Sequence, residues 1–159
     1  MTSNIPYYFD KREPIVLGRN TIAPINTQNT LIRKELFPLL YLPTYVTFRY
    51  TDILRGLIAQ PIMWAAEFQL GFTDASVIQK RNVHDYMKDF ISEIPMYETC
   101  EKIIDLVSKV ITDNDSIEDM LFNSYQELLR HVIIEEREMI TLEAWLKDLS
   151  KIQSNLSKD

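Results

Sequence analysis

The chain holds one cysteine, Cys100, and three glycines among its 159 residues. A lone cysteine excludes an intramolecular disulfide and any zinc site built from cysteines, and it fits a reducing, cytoplasmic compartment. So little glycine, with no repeated tract, excludes collagen-like and low-complexity classes. Basic residues are outnumbered: 17 lysines and arginines face 23 aspartates and glutamates, for a net charge of −6. Sequence-independent nucleic-acid binding comes from neutralising phosphates with clustered Lys and Arg, so nucleic acid is not an expected partner. No stretch approaches the roughly 20 apolar residues of a membrane helix, and residues 1–10 lack the basic-then-apolar layout of a signal peptide. The GxGxxG, Walker, GxSxG and HExxH motifs are absent too.

What is there reads as one ordered domain over residues 1–159. Hydrophobic residues make up 46% of the chain, enough at this length to bury roughly 70% of the unfolded surface. The pattern predicts an α+β fold, mostly helical, with two or three short strands in the N-terminal half and a C-terminal helical layer. Residues 15–95 form a mixed strand and helix region, 96–152 a helical region, and 153–159 a fraying polar tail. Ile15, Val16 and Leu17 suit a short strand. Residues 31–37 are apolar at helical spacing and stop at Pro38 or a little beyond. Residues 45–48, β-branched and aromatic after Pro43, form the best strand candidate, and 75–79 form another.

A helix capped by Thr51 or Asp52 is expected to run towards Gly71, kinked or broken at Pro61. Another is expected from about His84 to Glu93, ending before Pro95. Beyond Pro95, Ile103, Ile104, Leu106, Val107, Val110 and Ile111 share one apolar face. Residues 112–116 form a polar turn. Ser116 followed by Asp119 resembles a capping box opening the next helix. The last helix spans Met139 to about Ile152.

Three polar clusters stand out where elements begin or end, the places at which a rigid scaffold presents binding groups. In the first, Asn26, Gln28 and Asn29 carry amides able to read sugar hydroxyls, and equally able to make turns. The second runs from Arg49 to Gly56, with Gln60. Asp52 there is either an acid, base or hydroxyl-binding carboxylate at the start of a helix, or a first-turn carboxylate paired with Arg55 or Arg49. Gly56 would let another backbone approach. In the third, residues 79–84, His84 is a metal ligand, a proton carrier, a cap or a hydrogen-bonded core group. Arg81 suits phosphate or carboxylate, or pairs with Asp85 or Asp89. Elsewhere, His131 with Glu127 and Glu135 reads as a solvated helix face, and Glu135, Glu136, Arg137 and Glu138 as surface. Asp113, Asn114 and Asp115 read as a capping turn, although they mimic an Asp-x-Asp metal motif.

Taken in order, Pro24 to Thr30, the Leu42-Pro43 and Phe48 to Gly56 block with Gln60, and Gln79 to His84 followed by Asp89-Phe90 and Glu93 resemble the STELLO-type glycosyltransferase-like family over roughly residues 15–110. The resemblance implies the acceptor-side part of a sugar-transferase-like domain that handles a nucleotide sugar or a carbohydrate acceptor. It makes Asp52 the candidate base and His84 the candidate contact to a divalent metal such as manganese or to a diphosphate. Gln28, Asn29, Arg49, Arg55, Gln60, Arg81 and Asn82 are the implied substrate-binding residues. A nucleotide-binding α/β half with its own Asp-x-Asp would precede this region in a full transferase. The chain is therefore expected to be a fragment or split product needing a partner with that half, or to have kept the fold for binding alone. The alternative class is a non-enzymatic helical interaction module, binding a protein partner or a second copy.

Overall fold

The computed structural model describes residues 11–78 and 85–156, with the side chain of Leu156 left aside. The architecture is mostly helical, with a small antiparallel ladder near its start. Strand β1 (Ile15–Val16) pairs with β2 (Gly71–Phe72), with Ile15 opposite Phe72 and Val16 opposite Gly71, and Leu17 N–H extends the ladder by donating to Leu70 O. Among the described residues, four α-helices follow one another as α1 (Thr51–Ala65), α2 (Tyr86–Val110), α3 (Ile117–Arg130) and α4 (Glu136–Leu156). Two 3₁₀ segments, Lys34–Leu40 and Phe48–Tyr50, precede α1. None of the described helices is long and apolar enough to cross a membrane.

Helix α1 is the centre of the molecule. Every residue from Leu54 to Met63 is buried, so this helix is covered on all sides, as its nearly uninterrupted apolar sequence requires. The other helices show it one face each: Ile103, Leu106 and Val107 from α2, and Met120, Leu121, Tyr125 and Leu128 from α3, with Leu142 of α4 in the same core. The α3 positions recur at intervals of one, three and four residues, the stripe of an amphipathic helix. Trp145 of α4 donates its indole N–H to Pro38 O at 3.1 Å, fastening the first 3₁₀ segment to the last helix.

Several local expectations are corrected. Residues 45–48 are not a strand: 44–46 bend, and Phe48–Tyr50 is a 3₁₀ turn. β-propensity stabilises a residue only where a neighbouring strand pairs with it, and here other partners take the backbone and side chains. Tyr45 N–H is bound by the Glu138 carboxylate, and the Thr47 hydroxyl donates to Ser92 O on α2. Residues 75–78 are irregular as well, and Gln79 lies outside the described residues. The second strand is Gly71–Phe72, where a helix end had been expected.

Residues 31–37 give a 3₁₀ segment displaced to Lys34–Leu40, with Pro38 inside it. Proline does not end α1 or α2 either. Helix α1 continues through Pro61 and α2 through Pro95, each losing one intrahelical hydrogen bond. Packing on every side holds α1. Side chains pin α2 on both flanks of Pro95, through Arg49 to Asp89, Thr47 to Ser92 and the Tyr50 hydroxyl to Thr99. Neither Thr51 nor Asp52 caps α1: its N-cap residue is Tyr50, without a side-chain cap bond. Ser116 does cap α3, accepting Asp119 N–H at 3.0 Å while its hydroxyl donates to the Asp119 carboxylate. Helix α4 runs to Leu156, past the start of the expected polar tail.

Helices α1 and α3 end alike, with paired backbone bonds around a residue of positive φ. After α1, Phe68 N–H reaches Met63 O and Glu67 N–H reaches Trp64 O; after α3, Ile133 N–H reaches Leu128 O and Val132 N–H reaches Leu129 O. Glycine is the usual residue at such a left-handed position, but Glu67 (φ 63°) and Val132 (φ 57°) stand there instead. A β-branched residue is strained in this conformation, and Val132, 88% exposed, gains little packing in return. Val132→Gly is therefore expected to stabilise the fold by about 0.5–1 kcal/mol, strain relief exceeding the entropy glycine adds to the unfolded chain. Chemical denaturation would show this as a higher midpoint at unchanged slope, and a lower midpoint would refute the strain argument.

Candidate functional site

The second polar cluster lies at the corner where the Phe48–Tyr50 turn runs into α1 beside α2. Arg49 Nη2 is 2.7 Å from Asp89 Oδ2 on α2. Asp52, in the first turn of α1, has a side chain 34% exposed, and its Oδ1 lies 3.9 Å from Arg55 Nη2. Of the two pairings open to Asp52 from sequence, Arg55 is the one formed. Arg55 is buried, and its Nη1 has no hydrogen-bond partner. Burial pushes this guanidinium down, while the fields of Asp52 and Tyr125 push it back up. The corner thus holds two arginines and two aspartates, both carboxylates partly exposed.

Gly56 and Gln60, one turn apart on α1, serve the fold. A Cβ on Gly56 would lie 3.0 Å from the side-chain carbon Ile25 Cγ1 and 3.8 Å from Ile25 N, so the Ile25 side chain would have to give by a few tenths of an ångström. Gln60 is 1% exposed. Its Oε1 accepts Ala23 N–H at 3.0 Å, and its Nε2 donates to Ala23 O at 2.8 Å and Gly56 O at 2.9 Å. The amide meets Ala23 as a neighbouring backbone would, and both its N–H donors are used. Gln60 is accordingly a buried clasp, where a substrate contact had been expected.

The first cluster forms a turn. Asn26 Oδ1 accepts Gln28 N–H at 3.0 Å, Asn29 adopts φ 51°, and the Asn29 side-chain oxygen accepts the Ser76 hydroxyl at 3.2 Å. These bonds hold the turn to residue 76, with none of them running to the Asp52 corner. Arg81, Asn82 and His84 lie outside the described residues, as does the rest of segment 79–84. His131 pairs with Glu127 at 3.2 Å at the exposed end of α3, and Asp113 to Asp115 form a turn. Among the described residues no group of three His, Cys, Asp or Glu side chains is arranged to hold a metal ion. A groove of about 470 Å³ between α3 and α4, lined by Glu118, Asp119, Phe122, Leu146, Ser150 and Gln153, shares no residue with the candidate clusters.

One polar centre escaped the sequence reading. Glu138, expected on the surface, is completely buried. Its carboxylate accepts the Tyr41 hydroxyl and the backbone N–H groups of Thr44 and Tyr45, at 3.0 and 2.8 Å. Tyr41 also bonds Thr141 and meets Tyr125 edge to face at 5.5 Å. The signal was present in the spacing: Glu138 precedes Leu142, Trp145 and Leu149 at intervals of four, three and four residues, on the face that turns inward. Read as part of an acidic run, it looked solvated. Read by helical position, it belongs to the core.

Residues 49–158 match the family described as STELLO glycosyltransferases. The match begins at Arg49, so it includes the Asp52 corner and the C-terminal helices but not the Asn26 turn. Over 142 residues the chain is 22% identical to the probable glycosyltransferase STELLO1 of Arabidopsis thaliana, an alignment covering 89% of this chain and 18% of that protein. The chain thus spans less than a fifth of that relative's length. No solved structure matches it.

Proposed function

The chain belongs to the STELLO glycosyltransferase family, and from that membership we propose that it handles a sugar acceptor or a nucleotide sugar at the Asp52 corner. The observation that carries this reading is Asp52 itself, a carboxylate in the first turn of α1, one-third exposed and flanked by Arg55, inside the family-matched span. A carboxylate so placed can take the proton of an attacking sugar hydroxyl. Arg49 and Arg55 supply charge for a phosphate or hydroxyl-rich ligand. Gln28, Asn29, Arg81 and Asn82 are proposed to extend the binding surface, and His84 to contact a divalent metal such as manganese or a diphosphate. Gln60 has no part in this reading. The chain is proposed to act with a nucleotide-binding α/β half, since the strand pairing among its described residues is limited to the two-residue ladder.

Thermal-shift titration with nucleoside diphosphates and nucleotide sugars, with and without manganese, tests the proposal, because a ligand selective for the folded state raises the melting temperature. A manganese-dependent rise with one nucleotide is expected. Asp52→Asn should lower any sugar transfer by about 100-fold or more while leaving the chain folded. Transfer retained by Asp52→Asn would remove its role as base.

A second reading, an interaction module, draws on a different observation. The first half of α2 exposes Tyr86, Met87, Phe90, Ile91 and Tyr97, and Phe48 beside it is 91% exposed. So much uncovered apolar surface marks an interaction site. This reading gains if no nucleotide shifts the melting temperature and light scattering shows a stable dimer.

A further inference from the structure

Arg55 is a core residue with a charge that the core does not satisfy. Its side chain is 5% exposed, its Nη1 is buried with no hydrogen-bond partner, and the Asp52 carboxylate stands 3.9 Å from Nη2, beyond hydrogen-bonding distance. A guanidinium has five N–H donors and stays protonated in proteins. Burying one without acceptors costs several kcal/mol, whereas an apolar side chain of similar volume carries no such penalty. The buried carboxylate of Glu138 is already occupied by Tyr41, Thr44 and Tyr45.

The position of the guanidinium indicates the missing partner. Helical side chains lean towards the N-terminus, and Arg55 Nη2 approaches Asp52 in the first turn of α1, while the buried Tyr125 of α3 acts on the guanidinium from the core side. That first turn is the positive end of the helix dipole, and no side chain caps it. The exposed portion of Asp52 opens the corner to solvent. The guanidinium and the helix dipole both favour a negative charge here, and no acceptor bonds Nη1.

From this we propose that Arg55 and the first turn of α1 form a binding site for an oxyanion, a phosphoryl group or a sugar carboxylate. The proposal rests on the reading of the Asp52 corner as the working site, and it assigns the ligand group that Arg55 takes there. A planar guanidinium bonds such oxyanions through two parallel N–H donors. Asp52 weakens the site, since its carboxylate repels an incoming anion at this distance. Phosphoryl and carboxylate ligands offer the same pair of oxygens and differ in source, the diphosphate of a nucleotide sugar or an acidic sugar.

Melting of the chain in inorganic phosphate, pyrophosphate and glucuronate, with glucose and sodium chloride of matched ionic strength as controls, tests the site. A saturable rise in melting temperature is expected with phosphate or pyrophosphate if the ligand is phosphoryl, and with glucuronate if it is a sugar acid. Arg55→Met should fold at least as stably as the parent and bind about tenfold more weakly or worse. Asp52→Asn, which removes the competing charge, should bind several-fold more tightly. The absence of a saturable rise in the parent chain, or binding undiminished in Arg55→Met, overturns the proposal. Should Arg55→Met not fold, Asp52→Asn decides, and unchanged or weaker binding there overturns the site. Nucleotide-sugar binding that survives in Arg55→Met overturns the oxyanion site and keeps the glycosyl reading. Arg55-dependent pyrophosphate binding without a response to any nucleotide sugar keeps the site and overturns that reading.

Discussion

Glu138→Ala is expected to destabilise the fold by about 4 kcal/mol, lowering the melting temperature by roughly 10 °C. The carboxylate is the shared acceptor for the Tyr41 hydroxyl and for the N–H groups of Thr44 and Tyr45. Alanine takes the carboxylate from the buried Tyr41 hydroxyl and from the two backbone donors, and it opens a cavity beneath α4. Glu138 also lies in the first turn of α4, where negative charge is favoured by the helix dipole. Glu138→Gln is the sharper comparison, because it keeps the volume and one acceptor oxygen but points an N–H₂ group at a donor. About 2 kcal/mol should be lost there. Denaturant melts of the two variants check the ranking, and a loss below about 1 kcal/mol for Glu138→Ala would mean that water replaces the carboxylate.

Alkaline pH is the condition expected to weaken the fold most. The phenol of Tyr41 is pushed well up, by burial and by its bond to Glu138. Burial also raises Tyr50 and raises Tyr125 strongly. A tyrosine whose folded pKa exceeds its unfolded value holds its proton longer in the folded chain. The stability linked to it is complete below an unfolded pKa of about 10, and is lost as pH climbs from there through the folded value. Stability should therefore be flat with respect to these groups up to about pH 10 and fall steeply above it. Ionisation of the tyrosines should coincide with unfolding. Circular dichroism and tyrosinate absorbance followed against pH test this. Tyr41→Phe should show a shallower decline above pH 10 from a lower starting stability, and an unchanged slope would exclude Tyr41 as a contributor.

The helical layers were legible because helical spacing is a local property. The stripe of α3 and the Ser116 cap both follow from residues close together in the chain. The short strand at Ile15 and Val16 was legible for the same reason, although its partner was not. Gly71 looks like a helix terminator in sequence, and its pairing with Val16 depends on the return of α1 across the core. Pro61 and Pro95 are local breakers that tertiary contacts overrule. Residues 45–48 have strand-like side chains, but the carboxylate that holds Tyr45 sits in α4, more than 90 positions away.

The candidate site divides along the same line. Residue types marked Asp52, Arg49 and Arg55 as chemistry-bearing, and the ordered clusters pointed to the family. Three-dimensional packing then paired Arg49 with Asp89, used up the amide of Gln60 in holding the 23–25 segment, and buried the Arg55 guanidinium short of a bond. By itself the sequence determined the fold class, the amphipathic faces and the family, since each is written in spacing and residue type along a continuous stretch. Only the tertiary structure decided which polar groups are satisfied and which are left wanting. Hydrogen bonds and burial are settled between segments distant in the chain, and no local pattern encodes that distance.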